Sequence, residues 1–359
     1  MRREGQEGRQ ADAVRKAEGM TVTTSEPGTQ RKRGTAVGAV RATTPTPSPQ
    51  SARERAGDAA GTVRALVLGG YGLNCDLETQ YVLKLAGAQA DLVHVNELIA
   101  GEKKLADYHI LALIGGFSWA DDHGAGVILG TKLRHHLGDE ILRFVAADRL
   151  VIGICNGFQA LANLGLLPGF EAGTFRREVA VTYNDCGNFR NQWVHLRAED
   201  SPCVFSRGVA NLDLPVRHAE GKLIASPEVL ERLHEGRQIV LRYTKPDGSP
   251  AQGALPWNPN GSLLDIAGIC DPSGRIFGLM PHPEAYNHFT NHPDWLRRKW
   301  AAGARAAGRE ASAAGAAAAA GLRTGDGEPC GAASGALGQE GAGIALFRNA
   351  VMEARRSLA

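Results

Sequence analysis

The run Val151-Ile-Gly-Ile-Cys-Asn-Gly157 carries the most specific chemistry in the chain. An apolar strand would end on Cys155 and a helix begin at once, with Gly153 and Gly157 two residues to either side. That is the layout of a nucleophile elbow with cysteine in place of serine. The small neighbours let the backbone turn sharply, and the turn lifts the sulfur to the N-terminus of the next helix. There the helix dipole and free N–H groups favour thiolate, and the N–H of Asn156 can stabilise an oxyanion. The simpler alternative is a buried cysteine ending a strand, which is the reading given to Cys270.

A cysteine nucleophile needs a base, and the base needs an orienting group. Met280-Pro-His-Pro-Glu284 follows an apolar strand, so His282 lies on a stiff extended loop at the edge where open sheets present their sites. Glu284, two residues on, can point the same way and fix the imidazole tautomer. For an isolated histidine, a surface His-Pro loop would be the better reading; beside a cysteine elbow, catalysis is. Gly115-Gly116 follows another strand, and adjacent glycines allow backbone N–H groups to approach a ligand closely. Alone, such a pair is also common in structural turns.

These residues need a scaffold, and the hydrophobic pattern supplies one. Arg64–Leu68, Ala90–Val95, His109–Ile114 and Leu150–Ile154 read as strands, while Asp76–Ala86, Gly126–Ala147 and Gly157–Leu164 read as helices. Apolar strands alternating with helices predict a three-layer α/β fold built on a mostly parallel open sheet. Further strands are expected at Arg177–Tyr183, Gln192–Leu196 and Gln238–Tyr243. A hairpin is expected around the turn Asp271-Pro-Ser-Gly274, with Ile266–Cys270 and Arg275–Met280 as its strands.

Composition narrows the function. Lys+Arg number 40 and Asp+Glu 38 in 359 residues, a formal charge of +2, so the total gives no argument for nucleic acid or an anionic membrane as partner. The longest apolar runs fall well short of the roughly 20 residues of a membrane helix, and no secretory h-region is visible. Six cysteines without a CxxC pair suit a reducing cytosol. The expected location is therefore cytoplasmic, with organelle targeting by the basic N-terminus as a lesser alternative, since acids such as Glu4, Glu7 and Asp12 argue against a transit peptide.

The distribution is uneven. Residues 1–62 carry a local charge of +4, hold no aromatic residue and read as a disordered tail, leaving −2 for the remainder. Residues 301–342 read as an Ala/Gly-rich disordered insertion, and 343–359 as a closing amphipathic helix ending in Arg355–Arg356. The catalytic domain is thus expected over 63–300. Neither Gly70-Tyr-Gly72 nor Gly124-Ala-Gly126 completes a dinucleotide fingerprint, and Gly130-Thr-Lys132 lacks the order of a P-loop. His288 and His292 have the spacing of zinc ligands but stand in a loop sequence ending at Pro293, so no metal site is expected.

Four motifs, Gly115-Gly-Phe-Ser-Trp-Ala-Asp121, Gly153-Ile-Cys-Asn-Gly-Phe-Gln159, His218-Ala-Glu-Gly221 and Pro281-His-Pro-Glu284, stand in the order found in class I glutamine amidotransferases. Asn74-Cys-Asp76 sharpens the match, and the chain resembles members of that family that serve purine biosynthesis. The resemblance covers about 63–300 and the final helix. It implies Cys155 as nucleophile, His282 as acid/base and Glu284 as orienting carboxylate. It implies Gly115, Gly116 and Gln159 as groups holding glutamine and its oxyanion, with His218–Gly221 lining the pocket. It also implies a separate synthetase subunit, which uses ATP and Mg²⁺ and receives ammonia through a channel, and a small bridging subunit. No cofactor is expected in this chain. Trp119-Ala120 departs from a more usual Tyr-Gly, and Ala219 from a usual Gly. The rival readings are another cysteine-dependent amide or γ-glutamyl hydrolase of the same fold, and a catalytically silent interaction subunit.

Overall fold

Strands that are apolar at every position must be covered on both faces, and they form the centre of the structure. The computed structural model describes residues 61–306 and 340–358. β1 (Arg64–Gly69), β2 (Gln89–His94), β3 (Ile110–Leu113), β4 (Leu150–Ile154) and β11 (Ile276–Leu279) form a parallel block. Four antiparallel strands extend it: β10 (Ile266–Cys270), β9 (Ile239–Thr244), β6 (Arg190–Ala198) and β7 (Asn211–His218). The order is β2-β1-β3-β4-β11-β10-β9-β6-β7, and only β6 and β10 oppose the direction of the other strands. Every residue of β3, β4 and β11 is buried. The sheet is mostly parallel in strand direction, and the expected hairpin is present as β10–β11.

The helices follow from the same pattern. α1 is Asp76–Leu85, α2 Val95–Ile99, α3 Val127–Ala146 and α4 Asn156–Leu164. α5 is Pro227–Glu235, α6 Trp295–Ala306 and α7 Ile344–Arg356. α3 buries Leu129, Leu133, Leu137, Ile141 and Phe144, spaced at three and four residues, so one stripe faces the sheet. The β1–α1–β2 and β3–α3–β4 crossovers step in opposite directions along the sheet. Being right-handed, they place α1 and α3 on opposite faces. α4 packs on α3 and α7 on α1, which completes three layers.

Two strands, β7 and β8, and three helices, α2, α5 and α6, were not expected from the pattern. β7 is interrupted by Pro215, which an edge strand tolerates. β8 (Glu220–Ala225) pairs with β5 (Val179–Tyr183) in a separate two-stranded sheet. α5 begins at Pro227 behind Ser226, whose hydroxyl accepts from the Val229 N–H.

The expected tail over 1–62 lies outside the described residues apart from its last two positions, as does most of the insertion over 301–342. The ends of that insertion depart from the expectation of disorder. α6 runs past residue 300 to Ala306, in keeping with the helix propensity of its alanines. Glu340 bridges to His288, the Gly341 N–H donates to Asn287 O and the Gly343 N–H to Tyr286 O. The chain therefore returns onto the loop that follows Glu284. Arg298 of α6 is tied to buried Asp213 of β7, which also meets His195 Nδ1 at 2.6 Å.

α7 covers the sheet with Ile344, Leu346, Phe347, Ala350 and Val351, and its Glu353 is buried among Arg207 (2.5 Å), Arg275 (2.9 Å) and Arg356 (3.5 Å). Burial raises the Glu353 carboxyl, but the arginines, Arg207 first, leave its pKa below the usual value. A depressed carboxylate stabilises the fold above its unfolded pKa, and that stability is lost as pH falls through the folded value. Glu353→Gln should lower the unfolding free energy by about 2 kcal/mol at neutral pH, by loss of charge-assisted hydrogen bonds. Urea denaturation should show the difference shrinking in acid.

Candidate active site

The backbone of Cys155 sets the site. It adopts φ 49° and ψ −106° between the end of β4 and the start of α4, a conformation that side-chain-bearing residues rarely hold. The flanking glycines explain how. A Cβ on Gly157 would lie 2.0 Å from Leu113 O, and one on Gly153 would meet the Leu161 side chain at 2.5 Å. The Cys155 N–H donates to Leu279 O at 2.8 Å, pinning the elbow to β11, and the sulfur lies 3.8 Å from Arg217 O at the end of β7.

β11 leads directly into the loop carrying His282. The His282 N–H donates to Pro215 O of β7 at 2.8 Å, so the edge strand that the pattern missed holds the loop. His282 Nδ1 and Glu284 Oε1 are 2.6 Å apart, with both side chains almost fully buried. Nδ1 therefore donates to the carboxylate, and Nε2 has no hydrogen-bond partner among the described residues. Burial works against charge on the imidazole, but Glu284 and then Cys155 override it and raise its pKa well above the usual value. The ring is thereby biased toward the imidazolium, beside the Cys155 sulfur: a proton donor next to a nucleophile.

The Gly115–Gly116 turn closes over this pair. A Cβ at Gly115 would come within 2.7 Å of His282 Cε1, and one at Gly116 within 2.5 Å of Gly72 O. The turn is stitched to the β1–α1 loop: Asn74 and Cys75 N–H groups both donate to Gly115 O at 3.3 Å, and the Phe117 N–H to Gly72 O at 2.8 Å. Asn156 is fully buried; its side-chain oxygen accepts from the Ser118 N–H at 3.3 Å. Its amide nitrogen donates to Asp121 Oδ1 at 2.9 Å and Gln159 Oε1 at 3.1 Å. Gln159 in turn donates to Glu220 O at 2.5 Å. His218 Nδ1 meets Asn184 Oδ1 at 3.1 Å, and burial followed by the charge of His282 lowers its pKa to about 3, so it stays neutral. A Cβ on Gly221 would strike the His218 ring at 2.4 Å.

The structure thus brings together Cys155, His282, Glu284, Gly115, Gly116, Asn156, Gln159, His218 and Gly221 from four separate segments. The motif reading passed over three neighbours. Cys75 lies 4.0 Å from His282 Nδ1, and burial raises its thiol pKa. Asp121 is raised to about 6, by burial first and with Glu220 adding to it. Asp121 and Glu220 have no ion-pair partner among the described residues. All three stand inside motifs already singled out, but nothing in sequence separates a pocket carboxylate or thiol from a loop one. No metal site was expected, yet Cys75, His282 and Glu284 offer ligand atoms within 4.8 Å of one another. The departure at Trp119-Ala120 has a visible cost: Trp119, Ala120 and Asp121 take φ of 52°, 57° and 54°, where glycine would be unstrained. Ala219 is not among the residues of positive φ. Two surface concavities, of 210 and 480 Å³, lie away from Cys155, so cavity size does not locate the site.

Glu284→Gln keeps a hydrogen-bond acceptor and removes the charge that holds His282 protonated. Activity that needs the imidazolium is lost as pH rises through the His282 pKa. The basic limb of the kcat/KM profile for glutamine hydrolysis should therefore move to lower pH, with at least about a 10²-fold fall at neutral pH.

Residues 62–309 match the model of the CobB/CobQ-like glutamine amidotransferase domain. Phosphoribosylformylglycinamidine synthase subunit PurQ of Methanococcus maripaludis is 44% identical over 236 residues, covering 65% of this chain and 86% of that protein. The subunit of the same name from Dehalococcoides mccartyi is 47% identical over 232 residues, covering 64% and 88%. A solved structure of PurLQS from Thermotoga maritima aligns at 31% identity and a TM-score of 0.49, over 63% of this chain and 89% of that one. With its Cys–His–Glu geometry and these relatives, the chain belongs to the CobB/CobQ-like glutamine amidotransferases, and within them to the family of PurQ subunits.

Proposed function

We propose that this chain is the glutaminase subunit of phosphoribosylformylglycinamidine synthase, with Cys155, His282 and Glu284 as its catalytic residues. The observation that carries the chemistry is the strained Cys155 elbow facing an imidazolium held by a buried carboxylate. The relatives at 44 and 47% identity, both PurQ subunits of that synthase, support the larger assignment.

The Cys155 thiolate attacks the side-chain amide carbon of glutamine. The N–H groups of Asn156 and of the Gly115–Gly116 turn hold the oxyanion. His282 gives its proton to the departing ammonia, leaving a γ-glutamyl thioester, and then draws a proton from the water that hydrolyses it to glutamate. Glu284 fixes the ring through Nδ1 and keeps Nε2 directed to the reaction. Ammonia passes by a channel to a synthetase subunit, which uses ATP and Mg²⁺ to convert formylglycinamide ribonucleotide to formylglycinamidine ribonucleotide, with a small bridging subunit in the complex. No described helix is long and apolar enough to cross a membrane, and the setting consistent with this chemistry is the cytoplasm.

Gln159 and His218 line the pocket, and the carboxylates of Asp121 and Glu220, which have no ion-pair partner among the described residues, supply what glutamine's α-ammonium requires. The raised pKa of Asp121 marks a carboxylate lacking a cation, and an ammonium beside it would favour its charged form.

In the complex, Cys155→Ala should abolish glutamine-dependent synthesis and keep ammonia-dependent synthesis; loss of both would refute the division of labour. A hydrolase acting alone would support no glutamine-dependent synthesis with any synthetase subunit. Asp121→Asn and Glu220→Gln should raise KM for glutamine by about 10- to 100-fold. They should leave hydrolysis of 4-carbamoylbutanoate, which lacks the α-ammonium, unchanged.

A further inference from the structure

Cys75 has no part in that mechanism, yet it lies against its centre. The sulfur is 4.0 Å from His282 Nδ1, on the ring nitrogen that Glu284 holds and not on the one that serves the substrate. Cys75 is 7% exposed, His282 2% and Glu284 1%. One carboxylate oxygen of Glu284 accepts from Nδ1; the other, Oε2, is buried with no hydrogen-bond partner among the described residues. A buried carboxylate oxygen left in that state is costly and asks for a donor or a cation.

A thiolate, an imidazole nitrogen and a carboxylate are the ligand types of zinc. Around a tetrahedral ion with bonds of about 2.0–2.3 Å, ligand atoms stand about 3.3–3.8 Å apart. The three groups offer ligand atoms within 4.8 Å of one another, with Sγ and Nδ1 at 4.0 Å. An ion could enter if Glu284 drew back from Nδ1 by less than an ångström or so. Gly115 leaves the room, since a Cβ there would lie 3.1 Å from the sulfur and 2.7 Å from the ring. The approach is short, because Tyr71, Gly72 and Asn74 of the same loop are exposed.

We propose that Cys75, His282 and Glu284 form an inhibitory binding site for Zn²⁺. Binding forms Sγ–Zn, Nδ1–Zn and carboxylate–Zn bonds and releases two protons, one from the thiol and one from Nδ1. The buried charge is conserved: a neutral thiol, an imidazolium and a carboxylate sum to zero, as do Zn²⁺, a thiolate, a neutral imidazole and a carboxylate. The metal takes the ring nitrogen from Glu284 and leaves Nε2–H on a neutral, zinc-bound imidazole, a far weaker acid than the imidazolium, so Cys155 loses its proton donor. Metal binding stands apart from the proposed function; only the inhibition rests on it.

Co²⁺ reports such a site by absorption, through a thiolate-to-metal band in the near ultraviolet and visible bands of a tetrahedral ion. The full-length Cys155→Ala chain should take up one equivalent of Co²⁺ with both features, and Zn²⁺ should displace it. Cys75→Ser and Cys75→Ala should each lose the thiolate band. In the complex, Zn²⁺ should inhibit glutamine hydrolysis reversibly, and Cys75→Ser should need at least ten times more Zn²⁺ with kcat near that of the parent. Co-purification of each variant with the synthetase subunit, and an unchanged circular-dichroism spectrum, report that the chain is folded. A band that persists in Cys75→Ser and vanishes in Cys155→Ala would place the metal on the nucleophile and overturn the proposal, as would no band in either. Unchanged Zn²⁺ sensitivity in Cys75→Ser would overturn the inhibitory role. If the parent chain hydrolysed no glutamine, the functional reading would fail while the absorption experiment still decided the metal site.

Discussion

A cysteine held at φ 49° is the constraint on which this structure turns. A residue in such a conformation costs on the order of 1–3 kcal/mol and persists only where its surroundings leave no alternative. Here β4 is fixed between β3 and β11, and the Cys155 N–H continues the β11 ladder through Leu279. The helix that follows is packed so closely that Gly157 touches the β3 backbone and Gly278 the ring of Phe158. Relaxing the elbow would mean parting the most deeply buried strands in the molecule. The sheet thus converts burial energy into a fixed position for one sulfur atom.

The second requirement, a charged imidazole in an apolar setting, is met in the same economical way. Desolvation opposes the imidazolium, and a carboxylate 2.6 Å away offsets it. Since a buried carboxylate would itself be unstable alone, the two charges stabilise each other, and neither could be removed singly without leaving the other stranded. His218, equally buried but without an acid, goes the opposite way and stays neutral. Two histidines in one pocket therefore have different protonation states because only one has a carboxylate partner.

The periphery of the site is organised by chain crossings. The β1–α1 loop braces the Gly115–Gly116 turn, the edge strand β7 holds the His282 loop through Pro215, and the segment at Gly341–Gly343 packs on Tyr286 and Pro283. α7 then locks that segment through Glu353 and its arginines. The closing helix, distant in sequence from every catalytic residue, is in this way continuous with the loop that carries Glu284.

The sequence by itself determined the parts whose physics is local. A strand ending on a cysteine between glycines, a histidine between prolines with an acid two residues on, and the apolar strands of a covered sheet are short-range patterns. β4 and β10 begin and end at the expected residues, and the α3 stripe is visible as a period. Tertiary structure decided what depends on residues far apart. β7 was hidden because Pro215 breaks its pattern, and only its place at the sheet edge makes that proline acceptable. Cys75 reads as an ordinary loop thiol until folding brings it beside His282, 207 residues further along the chain. Asp121 and Glu220 become a pair only when β8 meets the loop before α3. Local patterns fix which groups can react, because backbone geometry acts over a few residues. Their protonation, pairing and neighbours depend on burial and charge, which exist only once distant segments have come together.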